Sequence, residues 1–112
     1  MAPDHSKIDA LPPLREIIAQ YSLSAQKSLG QNFLLDQNIT DKIVRHAGDL
    51  KDHTVIEVGP GPGGLTRSLL RSEAKEVVAI ELDNRAVEAL ESLKDAAQGR
   101  LRIIEEDARN ID

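Results

Sequence analysis

The chain has 112 residues, of which 40% are hydrophobic and 29% charged, and this size and composition predict one small globular domain rather than a disordered or fibrous chain. It has no cysteine, and its three histidines lack ligand-like spacing, so disulfides and thiolate zinc sites are excluded and no metal is expected. The formal net charge of -5 argues against a surface that is wholly a nucleic-acid footprint and favours a small-molecule site.

The first ten residues are polar and turn-forming, and residues 1–10 are predicted to be a flexible leader. Pro12 and Pro13 stand where a helix can begin, because proline lacks only an N–H that the first helical turn leaves unpaired. The apolar residues that follow have helical spacing and predict a short amphipathic helix: Leu14, Ile17, Ile18 and Tyr21.

Residues 27–35 are predicted to form a loop that leads into a second helix. Asp36 is a plausible N-cap for that helix, and Gly48 supplies its stop. Its predicted inner face is apolar and consists of Ile39, Ile43, Val44 and Ala47. Residues 11–50 are therefore predicted to be a helical N-terminal extension.

Residues 51–112 alternate between strand-like and helix-like patterns. Segments 54–58, 76–82 and 101–105 are apolar or rich in β-branched residues and predict three strands, separated by two helices. The second segment is almost continuously apolar, as expected for a strand buried on both faces of a parallel sheet. The order β-α-β-α-β predicts an α/β fold, the first half of a doubly wound, Rossmann-like domain.

A glycine loop separates the first predicted strand from the helix after it. Gly59, Gly61 and Gly64 satisfy G-x-G-x-x-G in the strand-loop-helix context that this motif requires. Glycines let the backbone turn tightly and let a ligand approach the amides at a helix start. The motif alone does not choose between a dinucleotide and another adenosine-containing cofactor.

Three carboxylates lie near the predicted strand ends. Glu81 ends the second strand, where a carboxylate can accept hydrogen bonds from both ribose hydroxyls, and Asp107 follows the third strand, where it can accept from an adenine amino group. Glu57, two residues before the loop, would repel a pyrophosphate. S-adenosylmethionine has no phosphate and carries a sulfonium and an amino group, so an acidic pocket suits it better.

Four segments together carry a resemblance to a known family, the ribosomal RNA adenine N6-dimethyltransferases of the KsgA/RsmA type. They are the stretches 27–36 (KSLGQNFLLD), 55–66 (VIEVGPGPGGLT), 79–83 (AIELD) and 106–108 (EDA). The Gly-Gln-Asn-Phe-Leu element is the most specific, since other methyltransferases share the glycine loop without it. The opening Leu-Pro-Pro at 11–13 resembles the alphaproteobacterial branch.

The resemblance implies S-adenosylmethionine as cofactor and assigns site residues at matching positions. Asn32 and Leu34 would contact the cofactor from the N-terminal loop, and Gly59 and Gly61 would pass beneath its methionine part. Glu81 would hold the ribose and Asp107 the adenine amino group. Gln31 is a less certain neighbour, and Phe33 is as compatible with core packing as with ligand contact.

The family's activity implies the remaining expectations. Its members dimethylate two adjacent adenines near the 3′ end of small-subunit ribosomal RNA, so a cytoplasmic enzyme acting on the assembling small subunit is expected, with no membrane partner. The family also places an Asn-Leu-Pro-Tyr type motif after the fourth strand, and the sequence reaches Asp112 without one. No catalytic residue is therefore assigned, and little or no turnover is expected from these residues alone.

Alternatives remain open at this stage. The antibiotic-resistance and mitochondrial transcription-factor branches share the loop and the carboxylates, although the Leu-Pro-Pro opening disfavours them. A nicotinamide-dependent oxidoreductase fits the same glycines and Glu81, and the lack of a fourth strand leaves a non-catalytic binding module open. Finally, a doubly wound sheet has its first strand in the centre, so a chain with three strands should leave residues 54–58 as an unpaired edge and should self-associate or need further partners.

Overall fold

A three-stranded parallel sheet organises the described part of the chain, residues 6–21 and 36–110 of a computed structural model. The strands are β1 (Thr54–Val58), β2 (Glu76–Glu81) and β3 (Leu101–Glu105), and they lie in the order β1-β2-β3. Val58 pairs in register with Ile80, and Glu81 pairs with Glu105. The predicted strands and the parallel α/β architecture are confirmed.

The helices are α1 (Ser6–Asp9), α2 (Leu14–Gln20), α3 (Gln37–His46), α4 (Gly64–Arg71) and α5 (Asn84–Ala96), with a 3₁₀ helix at Ala108–Asn110. Asp36 caps α3 as predicted, and a second aspartate, Asp83, caps α5. The Asp36 side chain accepts from the Asn38 amide and the Asp83 side chain from the Arg85 amide, each at 2.9 Å. Each cap satisfies a backbone N–H that the first helical turn leaves unpaired.

The core lies on β2, which is buried on both faces, and α4 and α5 pack against the same one of these faces. Val77 and Ala79 have no exposed surface, and Leu70 of α4 and Leu90 of α5 are equally buried. Burial of both faces explains the continuous apolar run of this strand, which its neighbours lack.

The N-terminal residues differ from the predicted leader. Within residues 1–10, Ser6–Asp9 form a helical turn, and Ile8 is only 1% exposed, in the same core cluster as Leu70 and Leu90. A single large aliphatic side chain among polar neighbours carries no periodicity, so its burial is a tertiary effect that the sequence pattern does not signal.

Strand β1 is an edge strand among the described residues, as the topology predicted. Its side chains Ile56 and Val58 are each 65% exposed, and Ile43 of α3 is 45% exposed. The predicted inner face of α3 is therefore wrong at Ile43 and Ala47, which are exposed, while Thr40 is fully buried against α4. These exposed residues border an open groove lined by Ile43, Val44, Ala47, Val55, Ile56, Glu57, Val58, Leu65 and Leu69, called here the β1 groove.

Candidate functional site

The carboxyl ends of the three strands form one continuous edge. The glycine loop follows β1, Glu81 ends β2 and Asp107 lies two residues beyond β3. Backbone bonds join the segments, because the Gly59 amide donates to the Ile80 carbonyl at 2.8 Å and the Glu106 amide donates to the Glu81 carbonyl at 3.0 Å. Residues 59–63, 81–83 and 105–107 are called here the carboxyl edge, the place where open α/β sheets bind ligands.

The first two glycines of the loop adopt left-handed backbone conformations and face open space. Gly59 has φ 67° and Gly61 φ 56°, and a Cβ built on either would meet no atom within 4 Å. Side chains are disfavoured there by the backbone torsion rather than by crowding. The space beside the loop is thus available to another molecule.

Gly63 is a third constrained glycine. The motif G-x-G-x-x-G assigned the third glycine position to Gly64 and did not identify Gly63. It caps α4 with φ 95°, and a Cβ would lie 3.1 Å from Leu90 Cδ2 and 3.2 Å from Leu93 Cδ2. Gly63 therefore allows α5 to pack closely on the loop. The adjacent glycine pair was the available signal, but the sequence did not show which member packs against α5.

Glu81 is 9% exposed, and its carboxylate is held by two backbone amides. The Gly61 amide donates to Oε1 at 3.0 Å, and the Asp83 amide donates to Oε2 at 2.9 Å. Each carboxylate oxygen can accept a further bond. Glu81 therefore orients the glycine loop and still presents acceptors at the carboxyl edge, a double role that the sequence did not predict.

Glu57 of β1, two residues before the loop, is a second acidic group, close enough for the charge of Glu81 to act on it. Burial raises the pKa of its carboxyl, and the negative charge of Glu81 raises it further, while a hydrogen bond from the Thr66 hydroxyl acts in the opposite direction. Thr66 is fully buried, so its hydroxyl is held in place. A cation near this pair would favour the ionised form of Glu57.

Asp107 is engaged by Arg109 on the same turn. Arg109 Nη2 donates to Oδ2 at 2.6 Å, and the Arg109 amide donates to Oδ1 at 2.9 Å. These hydrogen bonds lower the pKa of Asp107. Because the Arg109 side chain is 88% exposed, its contact with the carboxylate is one that a ligand group can replace at small cost.

Leu82 is an apolar residue of the carboxyl edge that the sequence reading assigned to a strand. It directly follows Glu81 and is 63% exposed. A large exposed aliphatic side chain beside a held carboxylate is suited to cover the face of a flat heterocycle. The only feature of the sequence that could have indicated this role is the position of Leu82 between two acidic residues, Glu81 and Asp83.

Two predicted site residues, Asn32 and Leu34, lie outside the described residues, as do Gln31 and Phe33. Over residues 6–21 and 36–110, no group of three metal-ligating side chains is present. No helix within those same ranges is long and apolar enough to cross a membrane. The structure thus brings together Gly59, Gly61 and Glu81 directly and places Asp107 on the same edge.

Comparison with known proteins gives a consistent result. The family described as ribosomal RNA adenine dimethylase matches residues 22–112. A protein of Nitrobacter winogradskyi named ribosomal RNA small subunit methyltransferase A is 61% identical over 107 residues, 96% of this chain and 37% of the relative. The protein of the same name from Ruegeria pomeroyi is 60% identical, over 96% of this chain and 38% of its own length.

Solved structures share the fold. The 23S rRNA methyltransferase ErmE superposes with a TM-score of 0.60 at 27% identity, over 69% of this chain and 31% of that one. Haemonchus contortus phosphoethanolamine N-methyltransferase 1, solved with S-adenosylhomocysteine, gives a TM-score of 0.59 at 18% identity, over 95% of this chain and 22% of that one. The chain spans somewhat more than a third of the length of its sequence relatives.

Proposed function

Because the chain belongs to the ribosomal RNA adenine dimethylase family, we propose that it is the S-adenosylmethionine-binding portion of an enzyme that dimethylates two adjacent adenines near the 3′ end of small-subunit ribosomal RNA. The observation that carries the proposal is the contact between Glu81 and the Gly61 amide, which joins the glycine loop and the ribose acceptor into one preformed unit. The proposed partner is ribosomal RNA in the assembling small subunit, in the cytoplasm.

The residues of the carboxyl edge fit this cofactor in shape and charge. The open space beside Gly59 and Gly61 allows a ligand to lie against the backbone, and Glu81 retains acceptors for two ribose hydroxyls. Glu57 and Glu81 together make the site acidic, which favours a ligand with a sulfonium and an ammonium group and disfavours a pyrophosphate.

Each residue has a proposed task in binding. Gly59 and Gly61 pass beneath the methionine part, Glu81 holds the ribose, Leu82 covers one face of the adenine and Asp107 accepts from the adenine amino group in exchange for Arg109. Asn32 and Leu34 are proposed to contact the cofactor from the N-terminal side. S-adenosylmethionine supplies an activated methyl group to the reaction.

We assign no catalytic residue within this chain. The described residues bind and orient, and methyl transfer also needs groups that hold the target adenine in line with the donor, an alignment worth roughly 7–11 kcal/mol of barrier. We therefore propose that turnover depends on groups beyond those described here, which act together with this cofactor site.

The proposal is tested by titration calorimetry of the chain with S-adenosylmethionine and, separately, with NAD. Binding of S-adenosylmethionine without binding of NAD is expected, because Glu57 and Glu81 repel the pyrophosphate. Binding of NAD alone would instead support the oxidoreductase alternative. Transfer of labelled methyl groups to small-subunit ribosomal RNA then tests the activity of the whole enzyme.

We also infer that the chain alone self-associates through β1. Ile56 and Val58 are exposed on a strand whose outer backbone groups are unpaired in the described sheet, and such edges template pairing between chains. The exposed Ile43 extends the same apolar surface into the β1 groove. Sedimentation at micromolar concentration tests this inference, and a monodisperse monomer that melts cooperatively would contradict it.

A further inference from the structure

The side-chain amide of Gln37 joins the start of α3 to the end of the glycine loop. Its Nε2 donates to the carbonyl of Gly64 at 2.9 Å, and Gly64 is the first residue of α4, directly after the loop. This contact spans 27 positions of sequence and is partly buried. It therefore links an element of the N-terminal extension to the cofactor-facing loop.

The other end of the same amide is fixed by Arg71. Gln37 Oε1 accepts from Arg71 Nη2 at 2.7 Å. A guanidinium can only donate and a carbonyl can only accept, so only one orientation of the amide satisfies both neighbours. The Gln37 side chain is thus held with its donor directed at Gly64.

Arg71 is itself held in place by acidic groups on two other helices. Its Nη2 lies 2.8 Å from Asp41 Oδ1 on α3, and its Nη1 lies 3.6 Å from Asp9 Oδ1 on α1. Asp41 also accepts from the Ser68 hydroxyl at 2.5 Å. Gln37 is therefore backed by a network of polar contacts rather than by a single mobile side chain.

The glycine loop is attached to its surroundings at several points. On the β2 side, the Gly59 amide binds the Ile80 carbonyl and the Gly61 amide binds Glu81. Between these points and α4, the Gly63 amide donates to the Pro60 carbonyl at 3.0 Å, and Gly63 packs against α5. Gln37 adds a side-chain hydrogen bond at the far end of the loop, so the position of the loop relative to Glu81 depends on this bond together with the other contacts.

We propose that Gln37 is a positioning residue of the cofactor site, which acts by holding the Gly64 carbonyl and thereby keeps the glycine loop in its binding geometry. This role rests on the proposed function, because it concerns the affinity of that site for S-adenosylmethionine. Gln37 does not itself touch the ligand in this proposal.

The test uses Gln37→Glu in the full chain, with Asn38→Asp as the matched control. A glutamate keeps the acceptor for Arg71 but has no donor for Gly64, so the contact with Arg71 is retained while the loop contact is lost. The donation of Nε2 to the Thr40 hydroxyl at 3.2 Å is lost as well, but that hydroxyl can donate to the glutamate instead. Asn38 is exposed, and its replacement adds the same charge at the same helix start without contact to Gly64. Thermal melting verifies that both variants remain folded.

We expect Gln37→Glu to bind S-adenosylmethionine about three- to tenfold more weakly than Asn38→Asp, as for loss of one hydrogen bond. Hydrogen exchange at the Gly59, Gly61 and Gly63 amides should also be faster in Gln37→Glu without cofactor. Gln37→Met, which loses both contacts, should weaken binding at least as much.

Equal affinity and equal loop exchange in Gln37→Glu and Asn38→Asp would overturn the proposal. If the unmodified chain binds no S-adenosylmethionine, the proposed function fails instead, and loop exchange still decides whether Gln37 positions the loop. Weaker binding with unchanged exchange at the three glycine amides would also overturn the proposed route through Gly64.

Discussion

Strand β1 borders two regions that differ in how well they are covered: the carboxyl edge, which follows the strand, and the β1 groove, which runs along its side. At the carboxyl edge, Glu81 is 9% exposed. The Gly59 amide of the loop is hydrogen-bonded to β2, and the Gly61 amide is hydrogen-bonded to the Glu81 carboxylate. Along the groove, Ile56 and Val58 are 65% exposed. The first region is organised by contacts among the described residues, whereas the second presents apolar surface that those residues do not cover.

This difference indicates that ligand geometry and burial of the sheet depend on separate parts of the structure. The loop, Glu81 and Asp83 are neighbours across two adjacent strands, so short connections are sufficient to assemble them. Covering Ile56 and Val58 requires another chain segment or another molecule. Changes at the carboxyl edge should therefore alter binding, and changes at the exposed Ile56 and Val58 of the β1 groove should alter association.

The largest effect is expected for Gly61→Val. The residue has φ 56°, which a β-branched side chain does not readily adopt, and the new side chain would enter the open space proposed for the ligand. Calorimetry should show at least a roughly hundredfold loss of affinity for S-adenosylmethionine, about 2.7 kcal/mol. Circular dichroism should show a retained fold.

Gly99→Val is the matched control for this change. Gly99 has φ 91° with open space around its Cβ position, but it precedes β3 and so lies at the opposite end of the sheet. Its replacement introduces similar backbone strain and should leave affinity within about twofold of the unmodified chain. Equal losses in both variants would mean that strain alone, and not the loop, governs binding.

A smaller loss is expected for Glu81→Ala. Charge-assisted hydrogen bonds are worth about 1.5–3 kcal/mol, so the affinity for S-adenosylmethionine should fall roughly tenfold or more. Glu73→Ala is the control, because Glu73 is an exposed glutamate that precedes β2, at the opposite end of the sheet from Glu81. An unchanged dissociation constant for Glu81→Ala would refute the assignment of the ribose acceptor.

The β1 groove gives the converse prediction. Replacing both Ile56 and Val58 by lysine places charges along the unpaired strand, which opposes pairing between chains. We expect the self-association constant measured by sedimentation to fall about tenfold or more, while S-adenosylmethionine affinity changes less than about threefold. Unchanged association would place the contact elsewhere, and a large loss of affinity would show that the two regions are coupled.

Thr66→Val should change the pH dependence of binding. The Thr66 hydroxyl lowers the pKa of Glu57 against burial and Glu81, so its removal should raise that pKa further. Ionised Glu57 favours a cationic ligand, and affinity should therefore decline at a higher pH than in the unmodified chain when the solution is made acidic.

The raised pKa of Glu57 also makes the stability of the folded chain depend on pH. Because the folded pKa of Glu57 lies above its ordinary value, the folded state binds more protons, and stability falls as pH rises between these two values.

Thr40→Val is the control for the effect of Thr66→Val on binding, because it removes another fully buried hydroxyl, one that contacts Ser68 and not Glu57. Thr40→Val should leave the pH dependence of S-adenosylmethionine affinity unchanged. If it shifts that dependence as much as Thr66→Val does, the effect of Thr66→Val is not specific to Glu57.

The smallest effect is expected for Arg109→Ala. Arg109 occupies the carboxylate of Asp107 through an exposed ion pair, which salt and solvent weaken. Release of that carboxylate should change S-adenosylmethionine affinity by less than about threefold, with tighter binding at low salt. A large loss would show that Arg109 itself contacts the ligand.

The sequence alone determined the strand-loop-helix order, the aspartate cap of α3 and the identity of Glu81 as a strand-end carboxylate. These features depend on residues within a few positions of one another, so periodicity and spacing report them directly. The family resemblance added Asn32 and Leu34, which lie outside the described residues and stay predictions.

Only the tertiary structure decided which surfaces are covered. It placed Ile8 in the core, left Ile43 exposed, selected Gly63 as the glycine against α5 and joined Gln37 to Gly64. Each of these contacts joins residues that are distant in the sequence, and a local pattern contains no information about what lies opposite a side chain. Burial and long-range hydrogen bonds are properties of the assembled layers, and for that physical reason they became visible only in the folded chain.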